Sequence, residues 1–333
     1  MMLTPAYKLT IGQKIVDTTD EPKASNVVDL RVALDLDTPA DSFALVLGNV
    51  GSLKPTRDDD AKIELGYADN GGFTQVITGK VVTVEPNVTT TRVAGFSGAD
   101  ALLRTFVEQT FESKTAGAIV RDLADKSRIK VAAADDGINF PAYVVDGRRS
   151  VYLHMLDLAD LCGFDLYINS EGKLVFEKFI NGKTVHIFEH AKHIVALEVQ
   201  RTPQLAASVE VFGESSGSSQ GEDSWAWLTT DFASFKGSAG SGGRFLKERA
   251  AIRTKAAARL AAEGALTRIQ RRTLRGQVMT IGRPEVKLGD AIRFRGLADE
   301  SLNTFFQVRT VAHRISKLGG FTTTVGFRAI QVS

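Results

Sequence analysis

The sequence predicts an α+β fold that is mainly β, in which two antiparallel β-barrel or sandwich domains related by duplication flank small αβ units. Three observations predict it. Short strands with turn signals fill both ends of the chain, residues 284–330 have an earlier echo near the N-terminus, and the hydrophobic period becomes helical in the middle. Two copies are too few for a solenoid, so the echo indicates a duplicated domain.

The echo consists of matched residues at nearly constant offsets. Residues 60–61 match residues 290–291, residues 73–78 match residues 305–310, and the threonine run 89–91 matches the run 322–324. On this alignment Asp60 and Asp290 should occupy equivalent sites at the start of matching strands. Chance similarity between two β-rich segments is the alternative interpretation.

The N-terminal part of the chain predicts six strands with tight turns and no helix. Apolar and polar residues alternate in these strands, as in residues 27–36, where Val28, Leu30, Val32 and Leu34 share one face. The strands fall at residues 7–15, 27–36, 43–47, 62–67, 73–85 and 89–96. This pattern is typical of an antiparallel barrel or sandwich, and we assign the first such domain to residues 1–105.

The middle of the chain predicts two tandem αβ units, which we assign to residues 106–190. Thr115 can cap a helix that runs to about Ser127, and Ser150 can cap another that runs to about Cys162. Each helix is followed by a short β run, at residues 129–131 and at residues 164–168.

Residues 191–333 predict the second barrel domain, interrupted by an insert at residues 214–243. The insert is rich in Gly and Ser, which favours a flexible segment. A strong helix is predicted from Arg244 to about Leu266. One stripe of this helix consists mostly of small residues and would let it lie close against a sheet: Leu246, Ala250, Thr254, Ala257, Ala261 and Ala265.

The insert also carries four large aromatic residues, including both tryptophans of the chain. Aromatic side chains on a mobile loop commonly anchor protein interfaces. We therefore take them as candidate partner-binding residues: Trp225, Trp227, Phe232 and Phe235. The alternative is that the loop folds back onto its own barrel.

Composition excludes several classes of protein. With 333 residues, 43% of them hydrophobic and 24% charged, the chain is an ordinary globular protein of roughly two or three domains. A formal net charge of +2 argues against a protein that binds nucleic acid or membrane surfaces through bulk charge. The single cysteine, Cys162, fits folding in a reducing cytoplasm, and we see neither a signal peptide nor a membrane span.

No catalytic or metal-binding constellation stands out. Cys162 and His154 would lie roughly 12 Å apart along one helix, too far for a nucleophile and its base. His186, His190 and His193 would share one face of a helix and could hold zinc there, but residues 183–188 read as a strand. No pair of carboxylates is singled out for glycoside cleavage. We therefore expect no catalytic residue, no metal and no cofactor.

A basic segment offers one further possibility. Residues 244–275 carry ten Lys and Arg residues against Glu248 and Glu263. Such a stripe could contact phosphates, which makes a nucleic-acid-binding module one interpretation. The other is a solvated helix face whose arginines pair with acidic neighbours, and on this interpretation no specific nucleic acid is bound.

Two stretches of the sequence resemble a known family. Residues 150–168 read SVYLHMLDLADLCGFDLYI and lead to GKLVF at 172–176, while residues 284–290 read PEVKLGD and residues 319–324 read GGFTTT. With β domains on both sides, this arrangement resembles the baseplate hub family of contractile phage tails. That family is the late control protein D family, which is related to the first half of VgrG-type spikes of type VI secretion. The resemblance extends from about Tyr7 to Ile330.

The resemblance implies a structural protein, and because no catalytic constellation stands out and every segment is used by the architecture, we expect no enzymatic activity. It implies a homotrimer whose duplicated barrels mimic tail-tube subunits, so that the hub adapts a sixfold tube to a threefold spike. The implied partners are a tail tube protein, other baseplate proteins and a spike, which would be a separate protein because the chain ends at Ser333. The implied location is the baseplate of a virion or tail-like particle, without a membrane anchor, after assembly in the cytoplasm of the producing cell.

Two other classes of function remain open beside the hub. One is a cell-wall hydrolase associated with a tail, and the other is the nucleic-acid-binding module of residues 244–275. The four aromatic residues of the insert have no counterpart that we can assign in the family. The family fits a phage, a pyocin-like particle and other injection systems equally well.

Overall fold

The computed structural model describes residues 3–19, 26–49, 53–70, 72–180, 183–213 and 236–330. The fold is α+β and mainly β, as predicted, with large antiparallel sheets. The N-terminal strands, which we call the first barrel, are β1 (Pro5–Ile11), β2 (Lys14–Asp17), β3 (Val27–Asp35), β4 (Ser42–Gly48), β5 (Asp60–Tyr67), β6 (Gly72–Pro86) and β7 (Thr90–Ser97).

The middle region contains the two predicted helices. Its elements are α1 (Ala99–Arg104), β8 (Gln109–Thr115), α2 (Ala116–Lys126), β9 (Val131–Ala134), β10 (Asn139–Val145), α3 (Val151–Cys162), β11 (Asp165–Ile168) and β12 (Leu174–Glu177). Thr115 caps α2 as expected, since its hydroxyl accepts a hydrogen bond from the Ala118 N–H at 3.1 Å. Gly163 ends α3 in the left-handed conformation (φ +70°). The strands that follow the two helices join one three-stranded sheet, β11-β12-β9.

The C-terminal third alternates between two groups of elements. In chain order they are β13 (Val185–Glu189), β14 (Ala196–Arg201), β15 (Ser208–Phe212), β16 (Lys236–Gly240), β17 (Arg244–Glu248), α4 (Lys255–Arg271), β18 (Leu274–Ile281), β19 (Ala291–Arg295), β20 (Phe305–Ser316) and β21 (Gly320–Ala329). We call β13, β14 and β18 to β21 the second barrel. The other elements, β15 to β17 and α4, form a separate layer.

The predicted helix from Arg244 is wrong at its start. Residues 244–248 form β17, which pairs in parallel with β15, and α4 begins only after Thr254, whose hydroxyl accepts from the Ala257 N–H at 3.2 Å. The small-residue face works as expected further along: Ala257, Ala261 and Ala265 are buried. A Cβ atom on Gly237 of β16 would lie 2.1 Å from the Ala258 carbonyl carbon, so helix and sheet approach closely.

The insert is also shorter than predicted. Residues 236–240 form β16, which pairs antiparallel with β15, because the chain re-enters a regular ladder there. Residues 214–235 lie outside the described residues. The four candidate partner-binding residues are therefore not part of the described structure: Trp225, Trp227, Phe232 and Phe235.

The duplication is visible in the order of the strands. Hydrogen-bonded neighbours run β1-β5-β6-β7-β4-β3 in the first barrel and β13-β19-β20-β21-β18-β14 in the second. The corresponding strands occur in the same chain order, with the middle region between the copies and β15 to α4 inserted in the second. One pair departs from the antiparallel prediction, because β13 runs parallel to β19 whereas β1 is antiparallel to β5.

The register of the duplication differs from the one expected. The Val81 N–H donates to the Asp59 carbonyl at 2.9 Å, and the Val308 N–H donates to the Asp290 carbonyl at 2.8 Å. Asp59, rather than Asp60, is thus the equivalent of Asp290. The expected match of residues 73–78 with residues 305–310 is wrong, because aligning Val81 with Val308 brings Phe305 onto Thr78.

Two hydrophobic cores hold the chain together. One core is shared by both barrels, and the other gathers the middle region with β15 and α4. Residues such as Val209, Ile252 and Ala261 thus pack with the middle region, although they fall within the stretch predicted as the second barrel domain. The domain boundaries themselves stay a prediction.

Candidate assembly interface

The two barrels are joined by a direct strand pair. β3 of the first barrel pairs antiparallel with the second half of β20, from Asp35 opposite Thr310 to Asp29 opposite Ser316. On the inner face, Leu30 and Ile315 are opposite each other and buried. On the outer face the Arg314 Nε donates to Asp29 at 2.9 Å. The barrels therefore form one continuous sheet, amphipathic across the junction.

Arg309 fastens this junction to the middle region. Its guanidinium donates to Asp37, which follows β3, at 2.7 Å and to Asp165 of β11 at 2.6 Å. Its side chain is 12% exposed. Burial alone would lower the pKa of Arg309, but the carboxylates of Asp165 and Asp37 outweigh burial and raise it. One side chain thus connects both barrels and the αβ region.

A bulge directs Arg309 to this position. The pairing of β20 with β21 slips between Val308 and Thr310, so that Arg309 is the extra residue. The first barrel has its bulge at the corresponding place, between Val81 and Thr83 of β6. There the extra residue is Val82, which makes no such bridge; the two copies have diverged at the residue that the bulge presents.

Sequence reasoning missed this cluster, although the sequence contains a signal for it. The buried apolar residues of β20 fall on even numbers up to Val308 and on odd numbers from Val311 onward. Such a change of phase in an alternating strand indicates a bulge. It does not reveal that the bulge residue reaches acidic partners from two distant segments.

Further polar contacts extend the cluster towards α4. Gln307 Nε2 donates to Asp165 at 2.5 Å, and Arg271 Nη1 donates to Gln307 at 3.3 Å. Asp160 of α3 accepts from Lys247 at 2.8 Å and also binds Arg268. Arg271 of α4 therefore reaches the cluster at the barrel junction, and Asp160 of α3 ties α4 to β17.

The basic segment 244–275 pairs largely with acidic and amide neighbours. Besides the contacts to Asp160, Arg244 binds Glu210, Arg259 binds Glu263 and Arg275 binds Gln200. This confirms, for these residues, the interpretation of arginines paired within the protein. The segment is not one helix, because it is divided among β17, α4 and the start of β18.

The other residues considered for chemistry are engaged in separate local contacts. Cys162 is partly buried against the core of the middle region, and burial raises the pKa of its thiol to about 11, which disfavours the thiolate. His154 contacts the Asp146 carbonyl at 3.1 Å. His186 lies in the predicted strand and binds Asp290 at 2.8 Å, while His193 Nδ1 accepts from the Glu189 N–H.

Neither a metal site nor a membrane span is found among the described residues. No group of three or more His, Cys, Asp or Glu side chains in them is placed to hold a metal ion. No helix among them combines the length and the apolar character that crossing a membrane requires.

Comparison with solved structures identifies the fold. The 43 kDa tail protein of prophage MuSo2 from Shewanella oneidensis has a TM-score of 0.73 at 14% identity, covering 97% of this chain and 98% of that one. A tail protein from Neisseria meningitidis has a TM-score of 0.71 at 12% identity, covering 98% of this chain and 96% of that one. The E. coli c3393 protein, a type VI secretion component, has a TM-score of 0.61 at 10% identity, covering 98% of this chain and 77% of that one.

The fold is therefore that of phage tail proteins and their relatives in type VI secretion. The expected resemblance to baseplate hub proteins is confirmed at the level of structure, because structural neighbours that span nearly the whole chain are tail proteins. No protein-family model matches the sequence, and no curated protein matches it.

Proposed function

We propose that this protein is a structural, non-enzymatic baseplate hub of a contractile tail or tail-like injection particle. In this role it forms a homotrimer that adapts a sixfold tail tube to a threefold spike. The observation that carries the proposal is the β3–β20 junction, which sets two copies of one barrel side by side in a single sheet. Three such chains would present six similar barrels in one annulus.

The two barrels share their strand order but differ at the bulge, and both properties support the adapter role. Both barrels keep the same strand order, so both can offer similar surfaces to a sixfold tube. They differ at the bulge, where Arg309 binds the αβ region and Val82 does not. A trimer built this way alternates two kinds of barrel around its ring, which suits a threefold partner on the other side.

The proposed partners are the tail tube protein, a separate spike protein, other baseplate proteins and further copies of the chain. We also propose that the aromatic residues at 214–235 bind one of these proteins: Trp225, Trp227, Phe232 and Phe235. The particle's baseplate is the proposed location, following assembly in the producing cell's cytoplasm.

Electron microscopy of the assembled particle tests the hub directly. We expect three copies of the chain at the end of the tube, with both barrels lining one ring and the αβ regions displaced towards the spike. Six identical chains at the hub, or one barrel lying outside the ring, would refute the adapter. A clearing band on cell-wall substrate would contradict the non-enzymatic role.

The aromatic residues are tested by substitution, since deleting residues 214–243 would also remove β16. The pair Trp225→Ala and Trp227→Ala should lower the yield of assembled particles while leaving the chain folded. Unchanged yield would contradict the proposed contact. Far-UV circular dichroism of the purified variant supplies the folding control.

A further inference from the structure

The two edges that pair inside the chain, β3 and β20, each have a counterpart in the other barrel. β14 is the counterpart of β3, and β6 is the counterpart of β20. β3 and β20 pair with each other, whereas in the described chain β14 pairs only with β18. β6 pairs with β5 up to Lys80, and beyond the bulge the only strand of the described residues that pairs with its end is β7. Such open edges are templates for another strand.

We propose that β14 of one copy pairs antiparallel with the end of β6 in the next copy, in the register of the β3–β20 junction. This inference rests on the proposed function, since it names the surface through which hub subunits meet. The occupant of each edge is thus a second copy of this chain. The argument is that the chain already contains one example of this pairing.

The register can be transferred from strand to strand. Val93 of β7 corresponds to Val325 of β21. Val93 lies opposite Leu45 of β4, and Val325 lies opposite Val278 of β18. Leu45 in turn lies opposite Leu30 of β3, and Val278 lies opposite Leu197 of β14, so Leu30 and Leu197 are equivalent. The aligned bulges bring Val311 of β20 onto Val84 of β6. The internal pairs then predict these pairs between copies: Arg201 with Val84, Gln200 with Glu85, and Val199 with Pro86.

The direction of the backbone groups agrees with this register. Thr202 N–H donates to Thr273 at 2.8 Å, so alternate residues of β14 face β18 and the N–H and C=O of Val199 and Arg201 face outward. Asn87 N–H donates to Thr90 at 2.7 Å, so Val84 faces outward in the same way. The residues whose backbone N–H and C=O groups point away from their own barrel are therefore the ones that the transferred register places opposite each other.

The side chains agree as well. The residues that would share the inner face of the new ladder are mostly apolar, and those on the outer face are polar. The inner set is Val84, Pro86, Leu197, Val199 and Arg201; the outer set is Glu85, Glu198 and Gln200. The amphipathic pattern of the internal junction therefore continues between copies.

The pairing between copies should be weaker than the internal one. Pro86 has no N–H to donate, and the Arg309 bridge has no counterpart at Val82. Each contact is heterologous, so repetition yields a ring if the rotation closes and a filament if it does not. The weakness of the edge contact means that other hub contacts must help to hold the ring.

Paired cysteines test the register. In a Cys162→Ala background, Glu85→Cys with Gln200→Cys places thiols at a pair without backbone hydrogen bonds, with Cα atoms about 4.5 Å apart. Both side chains are on the polar face, so the fold should be unaffected. Ala33→Cys with Ala312→Cys, the equivalent internal pair, is the positive control and should form a disulfide within one chain.

The matched negative control keeps Glu85→Cys and moves the second cysteine to Ala196, roughly 13 Å along the strand. After mild oxidation we expect the in-register variant to form covalent multimers at least about tenfold faster than this control, given the narrow geometry of a disulfide. The oxidised products are then viewed by electron microscopy.

Each outcome decides something. Covalent multimers that end at the trimer support both the edge pairing and the hub. Trimeric rings without preferential cross-linking overturn the edge pairing and leave the hub standing. Cross-linked chains that continue into filaments support the edge pairing and overturn the trimeric hub. Equal cross-linking of the two variants, or none in either, overturns the edge pairing.

Discussion

Asp59 and Asp290 make the same side-chain contact in the two barrels. The Asp59 carboxylate accepts from the Thr56 N–H at 2.7 Å, and the Asp290 carboxylate accepts from the Lys287 N–H at 2.9 Å. Each aspartate follows a residue with positive φ, at +69° and +79°, and each starts a ladder to the long strand that bears the bulge. The repeated motif is thus a turn closed by an aspartate, with the strand that follows it.

The shared turn predicts a graded response to substitution. Asp59→Ala should lower the free energy of unfolding by ~1 kcal/mol, because one backbone N–H loses its acceptor. Asp290→Ala should cost more, about 2 kcal/mol, because Asp290 also binds His186 and both side chains are largely buried. Urea unfolding followed by far-UV circular dichroism measures both values.

Asp60→Ala is the matched control for this pair. Its carboxylate is 82% exposed and pairs with the exposed Lys80, so the cost should stay below about 0.5 kcal/mol. A loss at Asp60 as large as the loss at Asp59 would contradict the assigned equivalence.

The sequence predicted the duplication but not its register. Residues 60–61 and 290–291 look alike, yet the turns align one residue earlier, because Asp58 with positive φ stands where the second copy has Gly289. An aspartate tolerates this conformation well enough to replace glycine, which hides the match from a comparison of letters. The bulges then shift the long strands further, and only backbone hydrogen bonds reveal by how much.

The helices illustrate the opposite case. α2 and α3 were predicted to within a residue or two, because the caps and the apolar face are local signals. The segment 244–248 failed because it pairs with β15, which lies far away in sequence. The contacts of Arg309 with Asp37 and Asp165 could not be predicted for the same reason, since these residues are far apart in sequence. Local propensity does not indicate which distant segments pair with each other.

Removing one member of the buried bridge should be costly. Asp165→Ala leaves Arg309 and Gln307 without their shared acceptor in a site that is 8% exposed at the carboxylate. We expect a loss of roughly 3–5 kcal/mol in the free energy of unfolding. The double variant Asp165→Leu with Arg309→Met should lose less than Asp165→Ala alone, because the buried guanidinium is removed together with the carboxylate that it has lost.

An exposed ion pair in the same region serves as the control for the bridge. Asp136 binds Arg121 but its side chain is 71% exposed, so Asp136→Ala should cost less than about 1 kcal/mol. Denaturant unfolding of all three variants gives the comparison. A loss at Asp165 no greater than that at Asp136 would show that the bridge does not stabilise the junction.

The contact between α3 and α4 predicts an unusual effect of alanine in a helix. Gly264 of α4 lies against Gly163, and a Cβ atom at 264 would be 2.8 Å from the Gly163 backbone nitrogen. Gly264→Ala should therefore destabilise the protein by ~1–3 kcal/mol, although alanine is the better helix former. Gly243→Ala, where a Cβ atom meets nothing within 4 Å, should change stability by less than about 0.5 kcal/mol. Equal midpoints of thermal unfolding in the two variants would contradict the close packing.

Two buried groups predict opposite pH dependences of stability. Burial raises the pKa of Asp41 to about 7. A hydrogen bond from the Asp35 N–H lowers this pKa, and the nearby Asp35 carboxylate raises it. Burial lowers the pKa of His313 to about 3. In the unfolded chain these groups titrate near ~3.9 and ~6.5. Between pH ~4 and pH ~6.5, Asp41 is protonated in the folded protein and ionised in the unfolded chain. In the same range His313 is neutral in the folded protein and protonated in the unfolded chain.

The sign of each contribution follows from the state that holds more protons. Asp41 contributes stability at low pH that is lost as pH rises from ~4 to about 7, at most ~4 kcal/mol, while His313 contributes stability that grows as pH rises from ~3 to ~6.5. The wild type should therefore show little net slope from these two groups between pH 4 and 6.5. Asp41→Asn keeps an oxygen acceptor for the Asp35 N–H and removes the titration, so its stability should rise with pH across this window. Its advantage over the wild type should be largest above pH 7. Urea midpoints measured from pH 4 to 8 check this, with Asp136→Asn as an exposed control, and parallel curves for wild type and Asp41→Asn would mean that Asp41 is ionised in the folded protein throughout.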